Sequence, residues 1–123
     1  MLAQGLRTVI YGVPDLTKAK AWYSVAFSVL PYFDESFYVG FNIGGYELGL
    51  VPAEEAEVKG SRSVMAYWGV NNAEAAYKSL IEKGAQEHEA VHHVGGEIYV
   101  GSIYDPFGNI IGIIENPHFQ TKL

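Results

Sequence analysis

Apolar residues recur every three or four positions in two stretches of the chain and alternate with polar ones through much of the remainder. Leu16, Ala19, Tyr23 and Phe27 keep helical spacing, as do Ala73, Ala76, Tyr77 and Leu80. Each set predicts a helix that buries one stripe. Asp15 and Asn72 stand just before these runs, where a side-chain oxygen can accept from the free amides of a first turn. Pro31 bounds the first helix, and Lys83-Gly84 reads as a last turn with a left-handed glycine stop. Glu74 and Lys78, four apart in the favourable order, support an exposed face of the second helix. A strand-like run precedes each helix, at 6–11 and 63–68. Three more follow each helix, at 32–37, 38–43 and 46–51, then at 86–94, 97–104 and 110–115. Gly44-Gly45, Gly95-Gly96 and the segment from Asp105 to Asn109 carry the turn residues between them.

The two sets of elements are copies of one another. Tyr11-Gly12-Val13 is echoed by Trp68-Gly69-Val70 at an offset of 57 (68 − 11), and Pro52 by Pro117 at an offset of 65 (117 − 52). The difference places eight extra residues in the second copy, between helix and last strand. The chain is therefore read as α+β, two tandem βαβββ modules: module one at about residues 5–52, a polar linker at about 53–62, and module two at about 63–117. A module of this size alone is marginal by surface-to-volume scaling. The expectation is one domain over 1–123 in which both modules share a sheet.

Composition narrows the chemistry. The 123 residues contain no cysteine, which removes disulfides and thiolate chemistry and fits a cytoplasmic protein. The net charge of −6, with no basic cluster, disfavours nucleic acid as a partner. No run is apolar enough to span a membrane, and the first residues do not read as a secretory signal. Glu54, Glu55 and Glu57 read as a solvated loop. Nucleophile elbow, P-loop and dinucleotide fingerprint are all missing, and Ser61 and Ser63 have no evident base.

Val13-x-Asp15-Leu16-x-x-Ala19-x-x-x-Tyr23, together with Asp105-Pro106-x-Gly108-Asn109 before an apolar strand, resembles the vicinal-oxygen-chelate proteins. That superfamily includes glyoxalases, bleomycin-resistance proteins and extradiol dioxygenases. The likeness runs from about Leu6 to Pro117. It implies a curved, incomplete barrel-like sheet with the helices outside and a ligand on the concave face. It also implies a homodimer, and in some members a metal held by the first and last strands of both modules. Carried over by the two offsets, those coordinating places are Thr8, Glu47, Met65 and Gly112. A catalytic ion needs about three imidazole or carboxylate ligands. Only Glu47 qualifies, so no metal or other cofactor is expected; a divalent ion completed by unaligned residues is the alternative.

The same resemblance makes Glu47 a contact for a cationic or hydroxylated ligand, or a base whose pKa desolvation would raise. Strand alternation alone allows a plain outward residue instead. Strand parity adds Ile10 and Tyr67 to the wall, and Phe41 and Tyr99 are further candidates. His88, His92 and His93 do not make a metal site if their segment is a strand, because four residues span roughly 13 Å there. They read as edge or rim residues, and His118 as solvated. The favoured reading is a metal-free binder of a small, partly apolar molecule. Its rivals are a lyase or isomerase with Glu47 as base, a metal-dependent dioxygenase-like enzyme, and a non-catalytic structural or interaction domain.

Overall fold

The computed structural model describes residues 2, 4, 6–54 and 65–118. It divides into two compact units, Met1–Ser61 and Arg62–Leu123. The division falls in the expected linker, most of which lies outside the described residues. Each unit has the order βαβββ, and each builds its own four-stranded sheet instead of a share in one continuous sheet.

In module one β1 (Thr8–Val13) leads into α1 (Leu16–Ala26), followed by β2 (Phe33–Glu35), β3 (Tyr38–Ile43) and β4 (Tyr46–Pro52). The sheet order is β1-β4-β3-β2, with β1 parallel to β4 and the other pairs antiparallel. Asp15 caps α1 by accepting from the Lys18 amide at 3.1 Å. Gly44 and Gly45 both take positive φ in the β3–β4 turn, which an L side chain would oppose. Ala19 and Tyr23 face the sheet and are fully buried. Tyr23 stacks on Tyr11 and Phe27 and lies 6.5 Å from the Phe41 ring, with Val39, Leu48 and Leu50 completing the buried layer. Full burial of one such side chain contributes about 1.5–3 kcal/mol.

Module two repeats the plan: β5 (Tyr67–Gly69), α2 (Ala73–Glu82), β6 (Gln86–Gly95), β7 (Ile98–Tyr104) and β8 (Ile110–Glu115), in the order β5-β8-β7-β6. Asn72 accepts from the Ala75 amide at 2.9 Å, and Glu115 on β8 accepts from the Ala73 amide at 2.8 Å, so two of the first-turn donors are met. Gly84 stops α2 at φ 106°. Ala73, Tyr77 and Leu80 lie buried with Ile103, Ile111 and Ile113. Asp105 is buried and holds the β7–β8 turn, accepting from the Phe107 and Asn109 amides and from Asn109 Nδ2. Among the described residues no helix is long and apolar enough to cross a membrane.

The registers revise the repeat. Gly12 pairs with Val51 and Gly69 with Ile114, so the last strands correspond at an offset of 63 (114 − 51), not 65. The second copy is longer by six residues, not eight. The prolines misled because they are not equivalent: Pro52 pairs with Val13 inside the ladder, whereas Pro117 lies beyond the end of β8.

Candidate functional site

Each sheet has one face covered by its helix and one that is not, and strand alternation assigns every residue to one or the other. In module one the uncovered face carries Thr8 and Ile10 from β1, Glu47 and Gly49 from β4, and Tyr38 and Gly40 from β3. Thr8 and Glu47 are direct register partners. Thr8 Oγ1 donates to Glu47 Oε1 at 2.8 Å, Tyr38 Oη donates to the same oxygen at 2.6 Å, and Tyr32 Oη donates to Oε2. The carboxylate thus sits in a ring of three hydroxyls.

Two glycines make this possible. A Cβ on Gly49 would run into the Tyr38 hydroxyl, and one on Gly40 would lie 3.2 Å from the Tyr32 ring and 3.0 Å from Glu47 Oε2. Bare backbone at these cross-strand partners lets both phenols lie flat against the sheet and reach the acid.

Hydrogen bonding sets the electrostatics. The Tyr32, Tyr38 and Thr8 hydroxyls, in that order of effect, hold the Glu47 carboxyl below the usual glutamate range, outweighing a small opposing effect of burial. Both phenols are raised, Tyr32 chiefly by its hydrogen bond to the acid and Tyr38 chiefly by burial, with the hydrogen bond to Glu47 second. Desolvation alone would raise Glu47; here three donors stabilise the anion more than desolvation opposes it. A carboxyl depressed in the folded state stabilises that state above its unfolded pKa, and the contribution disappears as pH falls through the folded value. Acid titration of folding, followed by circular dichroism, is expected to show a steeper loss below about pH 4 in the native protein than in Glu47→Gln.

Two expected wall residues lie on the helix-covered faces. Phe41 pairs with Leu48, is 1% exposed, and packs against Tyr23 beneath α1. Tyr99 pairs with Glu115, whose carboxylate caps α2, so it shares that covered side, with its ring against His93. Ile10, by contrast, is half exposed on the uncovered face of module one.

On the uncovered face of module two Tyr67 lies over Gly112, its register partner. A Cβ on Gly112 would sit 2.7 Å from the Tyr67 ring and 2.8 Å from the Ala66 carbonyl oxygen. Ser102, also paired with Gly112, is buried and its Oγ is hydrogen-bonded to His88 Nδ1 at 2.7 Å, with the Tyr104 ring 4.9 Å from the imidazole. Met65 is half-buried just ahead of β5. The other histidines are engaged separately: His92 with the Ala90 carbonyl and His118 with that of Gly96. The sequence reading missed Tyr32, Tyr38 and Ser102. The facing pair Gly40 and Gly49 was the available signal for the two tyrosines, since bare backbone on adjacent strands invites large side chains from neighbouring positions.

The family's divalent ion does not fit these residues. By the corrected register Gly112 corresponds to Gly49, and Glu47 to Ile110, so the four places do not form a repeated pair of ligands. Both glycines have a tyrosine where a ligand side chain would begin, and the one carboxylate is already taken up by hydroxyls. Among the described residues no group of three His, Cys, Asp or Glu could hold an ion.

Solved structures share the fold at low identity. A glyoxalase-related enzyme from Fulvimarina pelagi superposes with a TM-score of 0.78 at 18% identity, covering 98% of this chain and 94% of its own. A glyoxalase/bleomycin resistance protein/dioxygenase family enzyme from Burkholderia phytofirmans PsJN gives 0.73 at 16% identity, covering 88% and 95%. Lactoylglutathione lyase from Agrobacterium tumefaciens gives 0.72 at 15% identity, covering 94% and 96%. No curated protein matches the chain in sequence. The sequence profile of the Glyoxalase/Bleomycin resistance protein/Dioxygenase superfamily matches residues 5–113, and with two βαβββ modules in place the chain belongs to that superfamily.

Proposed function

We propose that this protein is a binding member of the superfamily that takes up a small, partly apolar molecule without a resident metal, with Glu47 as its polar contact. The observation that carries this reading is the carboxylate held by Thr8, Tyr32 and Tyr38 on the uncovered face of module one. A charged group fixed by three side chains from separate elements is preorganised, so little ordering cost remains when a partner arrives. Half-exposed Ile10 beside it supplies apolar surface. On module one Thr8, Ile10 and Glu47 are kept as candidate contacts and Phe41 is not; on module two, taken by itself, Met65, Tyr67 and Gly112 are kept and Tyr99 is not.

A lyase or isomerase with Glu47 as general base is disfavoured. A carboxylate stabilised as its anion is a weaker proton acceptor, and most of its lone pairs are already occupied. By family likeness the working form is a homodimer. Thermal-shift screening against aromatic and peptide-like compounds tests the binding reading, since a ligand selective for the native state raises Tm. A compound that stabilises the native protein is expected to lose most of its shift with Glu47→Gln. An unchanged shift in that variant removes Glu47 from the site.

A further inference from the structure

We infer that the ligand presents a protonated nitrogen, as an organic ammonium or amidinium carried on a flat apolar body, to the Glu47 cluster. The inference rests on the binding role proposed for that face and follows from counting donors. Thr8, Tyr32 and Tyr38 own one hydroxyl proton each, and each hydroxyl lies within donating distance of Glu47. What remains toward a newcomer is lone pairs, on three hydroxyl oxygens and on the carboxylate itself. At these four groups an incoming carbonyl, carboxylate or phosphate would meet acceptors only.

The charge around the acid agrees. The ion pair formed by described residues in module one is Lys20 with Asp34, at 3.0 Å. Asp34 pairs with buried Val39, so this contact belongs to the helix-covered side. Among the described residues no Lys, Arg or His makes an ion pair with Glu47. Arg7 precedes Thr8, and its guanidinium donates to Gln4 instead. Among the described residues the anion is solvated by hydroxyls and has no counter-charge.

Aromatic surface adjoins it. Tyr32 is 63% exposed and Phe37 65%, and the Phe33 ring packs edge-on against both Phe37 and Tyr38 at 6.1 Å. Ring faces attract cations through their quadrupoles and accept flat rings by stacking. A carboxylate, spare acceptors and exposed aromatics together select a cation that can donate N–H bonds.

The test uses three probes that share one ring: benzamidine, benzyl alcohol and benzoate, titrated into 15N-labelled full-length protein. Benzamidine is expected to shift amide resonances of Thr8, Tyr38 and Glu47 saturably, more weakly at high salt, while the other two leave them in place. Glu47→Gln is expected to weaken benzamidine by about tenfold or more, as loss of a charge-assisted contact does. A 15N spectrum of Glu47→Gln that matches the native one away from residues 8, 38 and 47 guards against a folding defect in that variant. Benzyl alcohol or benzoate shifting these resonances as strongly as benzamidine overturns the cation inference while the face remains a binding site. Benzamidine shifts confined to other residues, or no shift with any probe, overturn both readings.

Discussion

Phe41→Ala is expected to lower the unfolding free energy by about 3–5 kcal/mol, the usual cost of emptying a buried aromatic site. The ring is 1% exposed and lies among Tyr23, Leu48 and Val39, all of them buried to the same degree. Neighbours so tightly held relax little into the space left behind, which places the change toward the upper end of the range. Urea denaturation measures it as a lower midpoint with an unchanged slope. Binding of any compound that the native protein recognises is expected to survive wherever the variant remains folded, because Phe41 faces α1 and not the uncovered side. A variant with native stability and lost binding would reverse the assignment of faces.

Gly112→Ala is expected to cost about 1–3 kcal/mol, as an added methyl in a filled position does. The new Cβ would lie 2.8 Å from the Ala66 carbonyl oxygen, a backbone atom that cannot swing aside, and 2.7 Å from the Tyr67 ring. Gly69→Ala is the control. Its Cβ would meet nothing within 4 Å, so that variant is expected to be neutral or slightly stabilising through its effect on the unfolded chain. Thermal melts of the pair give the comparison directly. Gly112→Glu, which places a carboxylate at the expected coordinating position, is expected to destabilise at least as much and to gain no divalent-ion response.

Local chemistry made the elements readable from the sequence. Asp15 and Asn72 could be identified as caps because each precedes an apolar helical stripe, and both accept from the amide three residues on. The turn at Asp105 was legible for a similar reason, since its side chain closes the loop within four residues. Long-range register was not legible. Aligning Pro52 with Pro117 set the final strands two residues out, and a shift of two keeps the same face, so nothing in the hydrophobic pattern could reveal it. Phe41 and Tyr99 went to the wrong side because aromatic character does not report parity, and only their pairing with Leu48 and Glu115 does. The hydroxyl ring around Glu47 draws on β1, β3 and the stretch ahead of β2, and no local spacing links those segments.

The parallel pairs have a consequence for how the chain reaches this structure. β3–β4 and β7–β8 are joined by short turns and can zip locally, but β1 finds β4 only after the intervening helix and hairpin exist, and β5 finds β8 the same way. Such distant closures slow folding. The opening strands should therefore be the last to dock, and Thr8, arriving with β1, would deliver its hydroxyl to Glu47 as a late event of maturation.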